Sequence, residues 1–318
     1  MDKELQDKLN TIFSELDSHE WEKRFMAIKK LEYISIPEVE KKVAAYLDDS
    51  NENVRYISAK ILGTIGTKIS VEPLLSALAE PSSLVRLQIV EALGKIGDPS
   101  CVKAMVQFMQ DENDPRVKAT MIKIAGILGN NDLIPMIIMY LNDKDDRIRA
   151  NAVEALDMLG DSSIVDVITP FLKDKSNRVK ANAAITISKY DKEKSKAILE
   201  DMLDSDDEWM RASACFALGE IGDDTVIEKI VSLIDDDFWV VSRNAIDALR
   251  KMGHKTISFI ENKINHETNP DSIIKLIFVF GEVGDEKVLG TIMRYINHEN
   301  GDIRAEAENS IEKIRERS

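Results

Sequence analysis

Chemistry in this chain would have to come from few residues. There are four histidines and two cysteines among 318 residues. Histidine precedes glutamate three times, at His19-Glu20, His266-Glu267 and His298-Glu299. Such side chains hold iron or zinc, but a two-metal site needs ligands that converge. These pairs fall in segments that read as loops, far apart along the chain. No metal and no cofactor is expected. Cys101 follows Asp98-Pro99-Ser100 and opens a helix, where the dipole would favour a thiolate. Cys215 sits in the apolar register of a helix and reads as core. No base stands beside either thiol in the sequence, so no residue is assigned a catalytic role. With only two cysteines the chain is not a disulfide scaffold, and a cytoplasmic location is expected.

The elements that would position any site follow from an internal repeat. A basic residue recurs as Arg24, Arg55, Arg86, Lys118, Arg149, Lys180, Arg211 and Arg304. The same register falls on Ser242 and Ile273. The steps are 31 residues, with one of 32, which makes ten units. Periodicity of this length is the signature of stacked supersecondary units. The second half of each unit reads as an amphipathic helix. In the third, Val85, Ile89, Val90, Ala92, Leu93 and Ile96 share one face. Gly66, Gly97, Gly129, Gly160, Gly222, Gly253 and Gly284 occupy one register after it and read as left-handed C-terminal caps. Gly63, Gly94, Gly126, Gly219 and Gly281 lie three residues earlier, inside the helix. Glycine there costs about 1 kcal/mol relative to alanine, so a neighbouring helix is expected to approach closely. A shorter first helix opens each unit and ends in an acidic loop such as Asp235-Asp236-Asp237. These acids read as helix caps.

The run Val85-Arg86 through Ala92-Leu93-Gly94-Lys95-Ile96-Gly97-Asp98 resembles the short HEAT-type repeat named after phycobilisome-lyase proteins. The resemblance covers residues 18–315. It implies an all-α, right-handed solenoid of about ten helix pairs, with second helices on the concave face and first helices on the convex face. Residues 1–17 are expected as an N-terminal amphipathic helix, 18–302 as one continuous repeat array and 303–318 as a polar capping helix. At 8–10 Å between packed helices, ten pairs would span about 100 Å. Deoxyhypusine hydroxylases share this fold and place metal-binding His-Glu pairs just after the basic residue. The matching positions here, among them Tyr56-Ile57, Leu87-Gln88 and Ala212-Ser213, hold no such pair.

Function in such an array resides on the exposed positions of the second helices. The first units present Trp21, Phe25, Tyr33, Tyr56, Ile57, Leu84 and Leu87. The middle units present Arg116, Lys123, Arg147, Asn151, Arg178 and Asn182. Units seven to nine present Trp209, Phe216, Trp239, Arg243, Asn244, Ile274 and Phe278. All three tryptophans fall at these positions, and tryptophan, tyrosine and arginine anchor interfaces. The expected function is a non-enzymatic scaffold that holds a protein or extended peptide in the groove. An acidic partner stretch is expected opposite Arg116, Arg147 and Arg178. An accessory enzyme of the phycobilin-lyase type is the alternative, followed by a deoxyhypusine-hydroxylase-like protein that lacks the His-Glu metal motifs. A net charge of -15 opposes nucleic acid and anionic membrane as partners. The sixth unit, with Ser188 and Asp191 in both glycine registers, is expected to be a looser joint.

Overall fold

The computed structural model describes residues 3–317 and divides into two compact units, 1–164 and 165–318. Met1, Asp2 and Ser318, at the ends of the expected terminal segments, lie outside the described residues. The architecture is all-α, with paired helices joined by short 3-10 turns and no strand among the described residues. In the first unit the second helices of consecutive repeats are Trp21–Lys29, Glu52–Ile65, Ser83–Ile96, Pro115–Leu128 and Asp146–Leu159. In the second they are Asn177–Ser188, Glu208–Ile221, Trp239–Met252, Pro270–Val283 and Gly301–Arg317. The first helices are mostly shorter, for example Val71–Ser76 and Ile227–Ser232. Lys3–Leu16 closes one edge through Leu9, Ile12 and Leu16, all buried.

Local chemistry starts and stops each helix. Asn51, Asp114, Asp145, Asp207 and Asn269 precede second helices, and each side chain accepts the N–H two residues on. The residue after the terminal glycine caps the next 3-10 turn in the same way, as Thr67, Asp98, Asn130, Asp223 and Asp285 do. The expectation for the terminal glycines needs correction. Only Gly97 and Gly222 adopt the left-handed helical conformation; Gly253 has a positive φ but an extended ψ. Gly66, Gly129, Gly160 and Gly284 are extended, and a Cβ there would run into the carbonyl four residues earlier. At these four the demand for glycine is crowding, not handedness.

The internal glycines do what their register implies. A Cβ on Gly126 would stand 2.7 Å from Ala155 Cα, and one on Gly219 2.7 Å from Ala248 Cα. Second helices therefore pack backbone to backbone, Pro115–Leu128 on Asp146–Leu159 and Glu208–Ile221 on Trp239–Met252.

The basic register ties repeats together. Arg24 pairs with Asp49, Arg55 with Glu80, Arg86 with Glu112 and Arg211 with Asp236, each through two nitrogens at 2.6–2.9 Å. The acid belongs to the following repeat. A third nitrogen donates to carbonyls of the loop before its own helix, such as Glu80 and Pro81 for Arg86. The acid also accepts the N–H of the residue two further on. The acidic loops thus contain two kinds of acid, one that caps a helix and one that receives the arginine of the repeat before. Ser242 replaces the arginine in the eighth repeat and donates to the Ile234 carbonyl at 2.6 Å. Ile273 in the ninth repeat is buried.

Candidate functional site

In the first unit the expected face is only partly open. Trp21 and Phe25 are half-buried and meet edge to face, with ring centroids 6.4 Å apart. Leu87 is half-buried; Tyr33, Tyr56 and Leu84 are exposed. Two residues expected on this face belong to the core. Ile57 is buried, and Asn151, 7% exposed, donates from Nδ2 to the Ala119 carbonyl at 2.7 Å. That bond stitches one second helix to the next, and its amide is spent on a backbone oxygen.

Lys123, Arg116 and Arg147 are exposed. The two arginines fold back on the caps of their own helices. Arg116 meets Asp114 at 2.8 Å and Arg147 meets Asp145 at 2.7 Å. Each aspartate also accepts its arginine's backbone N–H. These bonds hold the Asp114 carboxyl well below the usual carboxylate range, lower that of Asp145 and push both guanidinium groups up. Arg178 stands at the same register in the second unit and is exposed; Asn182 is half-buried.

The second unit gathers the aromatic residues. Trp209 is 60% exposed, Trp239 69% and Phe216 42%. Phe238, just ahead of the Trp239 helix, is exposed too. Lys251 stands 4.9 Å over the Phe216 ring. Phe278 is half-buried beneath Arg250 and Lys313, at 5.8 and 5.1 Å. Both of those cations also bind Glu282, at 2.7 and 2.9 Å, which lowers that carboxyl below its ordinary range. Asn244 is half-buried and donates to the Val240 carbonyl of its own helix. Arg243 is exposed; Ile274 is half-buried.

An open hollow of about 560 Å³ lies between Trp239–Met252 and Pro270–Val283, lined by Trp239, Arg243, Ile246, Arg250, Lys275 and Phe278 with three aspartates. Its cause can be read in the glycine register. Counting 31 residues from Gly219 gives Arg250, and 31 more gives Gly281. Where Gly219 admits the next helix to van der Waals contact, Arg250 fills the space with a guanidinium, and this seam stays more open. Arg250, Lys251 and Lys275 were not among the expected site residues. The gap in the glycine register was the available signal.

Cys101 and Cys215 are fully buried. Burial pushes the Cys101 thiol up, against the lowering that a helix start would bring, and pushes Cys215 up to about 12. His298 accepts the Asn300 N–H, and Glu267 pairs with Lys263. Among the described residues, no group of three or more His, Cys, Asp or Glu could hold a metal ion. No helix among them is long and apolar enough to cross a membrane.

The family match and the Kap95p superposition agree with this architecture. The HEAT repeat family matches residues 9–83, 71–157, 134–214 and 203–271. An uncharacterized phycocyanin operon protein Z of Pseudanabaena tenuis is 27% identical over 142 residues, 42% of this chain and 70% of that protein. A chain in the structure of Kap95p with RanGDP superimposes with a TM-score of 0.53 at 14% identity, over 97% of this chain and 50% of that one. The complex of CpcE and CpcF of phycocyanin lyase from Nostoc matches at a TM-score of 0.39 and 17% identity, over 86% of this chain and 94% of the other.

Proposed function

The chain belongs to the HEAT repeat family, and on that footing we propose that it is a non-enzymatic scaffold whose second helices hold a partner protein or an extended peptide. The observation that carries this reading is the exposure of Trp209 and Trp239 on regular, well-packed helices. Neither is needed to close the core. Exposed aromatic side chains gathered on one face suit a binding surface, and tryptophan is among the residue types enriched at interface anchors. Tyr56, Leu84 and Leu87 offer a smaller apolar surface in the first unit. A cytoplasmic location goes with this reading, supported by two buried, unpaired thiols.

The test is affinity capture from the source organism with the wild type and a Trp209→Ala, Trp239→Ala variant. One protein recovered stoichiometrically by the wild type and lost by the variant, at unchanged helical content, supports the scaffold. Equal recovery by both contradicts it.

The relative in a phycocyanin operon favours a second reading, an accessory role of lyase type. A tetrapyrrole absorbance band on the purified protein, or turnover of a tetrapyrrole, would support it.

A further inference from the structure

We propose that the hollow between the second helices of the eighth and ninth repeats takes an acidic side chain of a partner peptide, its carboxylate gripped by Arg243 and Lys275. The proposal rests on the protein-docking reading above and names the chemistry recognised there.

The charges lining the hollow separate into those already spent and those still available. Asp236 is bound by Arg211 through both oxygens. Arg250 is bound by Asp247 and Glu282. Arg243 is exposed and has no acid or hydrogen-bond partner among the described residues. Lys275 is half-buried, and its ammonium donates to the Ile234 carbonyl at 3.0 Å. A neutral carbonyl fixes that ammonium in place without cancelling its charge. Of the lining acids, only the exposed Asp237 is left over. Two available cations against one acid make a positive spot on a chain of net charge -15.

Arg243 is a shifted version of the repeat's own arginine. At Arg24, Arg55, Arg86 and Arg211 the basic register points into the seam, where it binds the acid of the next repeat. The eighth repeat has Ser242 there and arginine one residue later. One residue on a helix turns the side chain by about 100°, from the seam to the open face. A guanidinium built for bidentate capture of a carboxylate is thereby offered to a partner instead of a neighbouring repeat. Trp239, at 69% exposure, and the Phe278 ring border the same hollow and suit an apolar residue next to the acid. The hollow is open to solvent, which gives a partner segment access to it.

The probe is an array of short immobilised peptides. Apolar residues are interspersed with glutamate in one set, with glutamine in a second and with lysine in a third. The full chain is applied, and hits are measured by fluorescence anisotropy. Glutamate peptides should bind about tenfold or more tighter than their glutamine counterparts. Arg243→Gln and Lys275→Met should each erode that preference, and Arg243→Glu should abolish it. Lys41→Glu with Lys103→Glu, both exposed positions of the first unit, should leave it intact. Circular dichroism checks each variant for folding. Hits that bind regardless of charge but weaken with Trp239→Ala would overturn the carboxylate inference and leave the docking surface standing. An array with no binding at all would overturn both.

Discussion

Replacing Arg86 with methionine isolates the interaction that joins consecutive repeats. Arg86 makes two bonds to Glu112 at 2.7 and 2.8 Å and two to the Glu80 and Pro81 carbonyls at 2.8 and 3.0 Å. The Glu112 side chain is 4% exposed. Methionine keeps the aliphatic stem but strands that carboxylate, leaving it only the N–H groups of Asn113 and Asp114. Removing one partner of a buried pair costs about 3–5 kcal/mol. Arg86 is itself 18% exposed, so water replaces part of the loss, and about 3 kcal/mol is expected. Urea unfolding with the wild type, Arg86→Met, Glu112→Gln and the double variant measures it. The double variant should be less destabilised than the sum of the singles, because the uncompensated charge is gone. A loss below about 1 kcal/mol for Arg86→Met, the range of exposed ion pairs, would refute the view that these arginines clamp the repeats.

The same clamp sets an acid limit. Asp49, Glu80, Glu112 and Asp236 all have lowered pKa values; burial opposes the shift, and the arginine and backbone N–H bonds outweigh it. Groups lowered in the folded state contribute stability fully above their unfolded values of about 4. That stability is lost as pH falls further, so urea midpoints should be flat from neutrality to about pH 5 and drop steeply below pH 4. Gly219→Val should destabilise by about 3 kcal/mol through overpacking against Ala248, whereas Gly290→Ala, in the short helix Leu289–Ile292 with open space around it, should be neutral or stabilising by up to about 1 kcal/mol in the same assay. Hydrogen exchange should be faster around residues 186–196, where Ser188 and Asp191 replace the glycines, than in the second and third repeats; equal protection would remove the loose-joint reading of the sixth.

Much of the fold could be read before any coordinates, because each repeat solves the same packing problem with the same residue types. The 31-residue spacing, the helix pairs and the internal glycines at Gly126 and Gly219 follow directly. What the spacing conceals is which of two physical demands a residue meets. Gly97 and Gly129 share a register, yet one is left-handed and the other extended against a carbonyl. Asp114 and Glu112 sit in one acidic loop, yet one caps a helix and the other receives Arg86. Asn151 shows the limit of a helical wheel, since its position faces outward by angle but its neighbour's carbonyl draws it in. The aromatic face of the second unit was visible from composition and register, through Trp209, Trp239 and Phe278. The hollow beside it was not, because it arises from a residue that breaks the repeat, Arg250, rather than from one that obeys it.

The claim that matters most is that a partner protein docks on the second-helix face. A photo-crosslinking amino acid placed at position 239, with a second placed at 293 as a comparison, addresses it directly. Met293 is also exposed, at 46%, but belongs to the short turn between the two helices of its repeat. The variants are irradiated in lysate of the source organism, and adducts are identified by mass spectrometry. One protein captured from position 239 and absent from position 293 is the expected result. Equal capture from both positions, or none from position 239 at unchanged helical content, would contradict it.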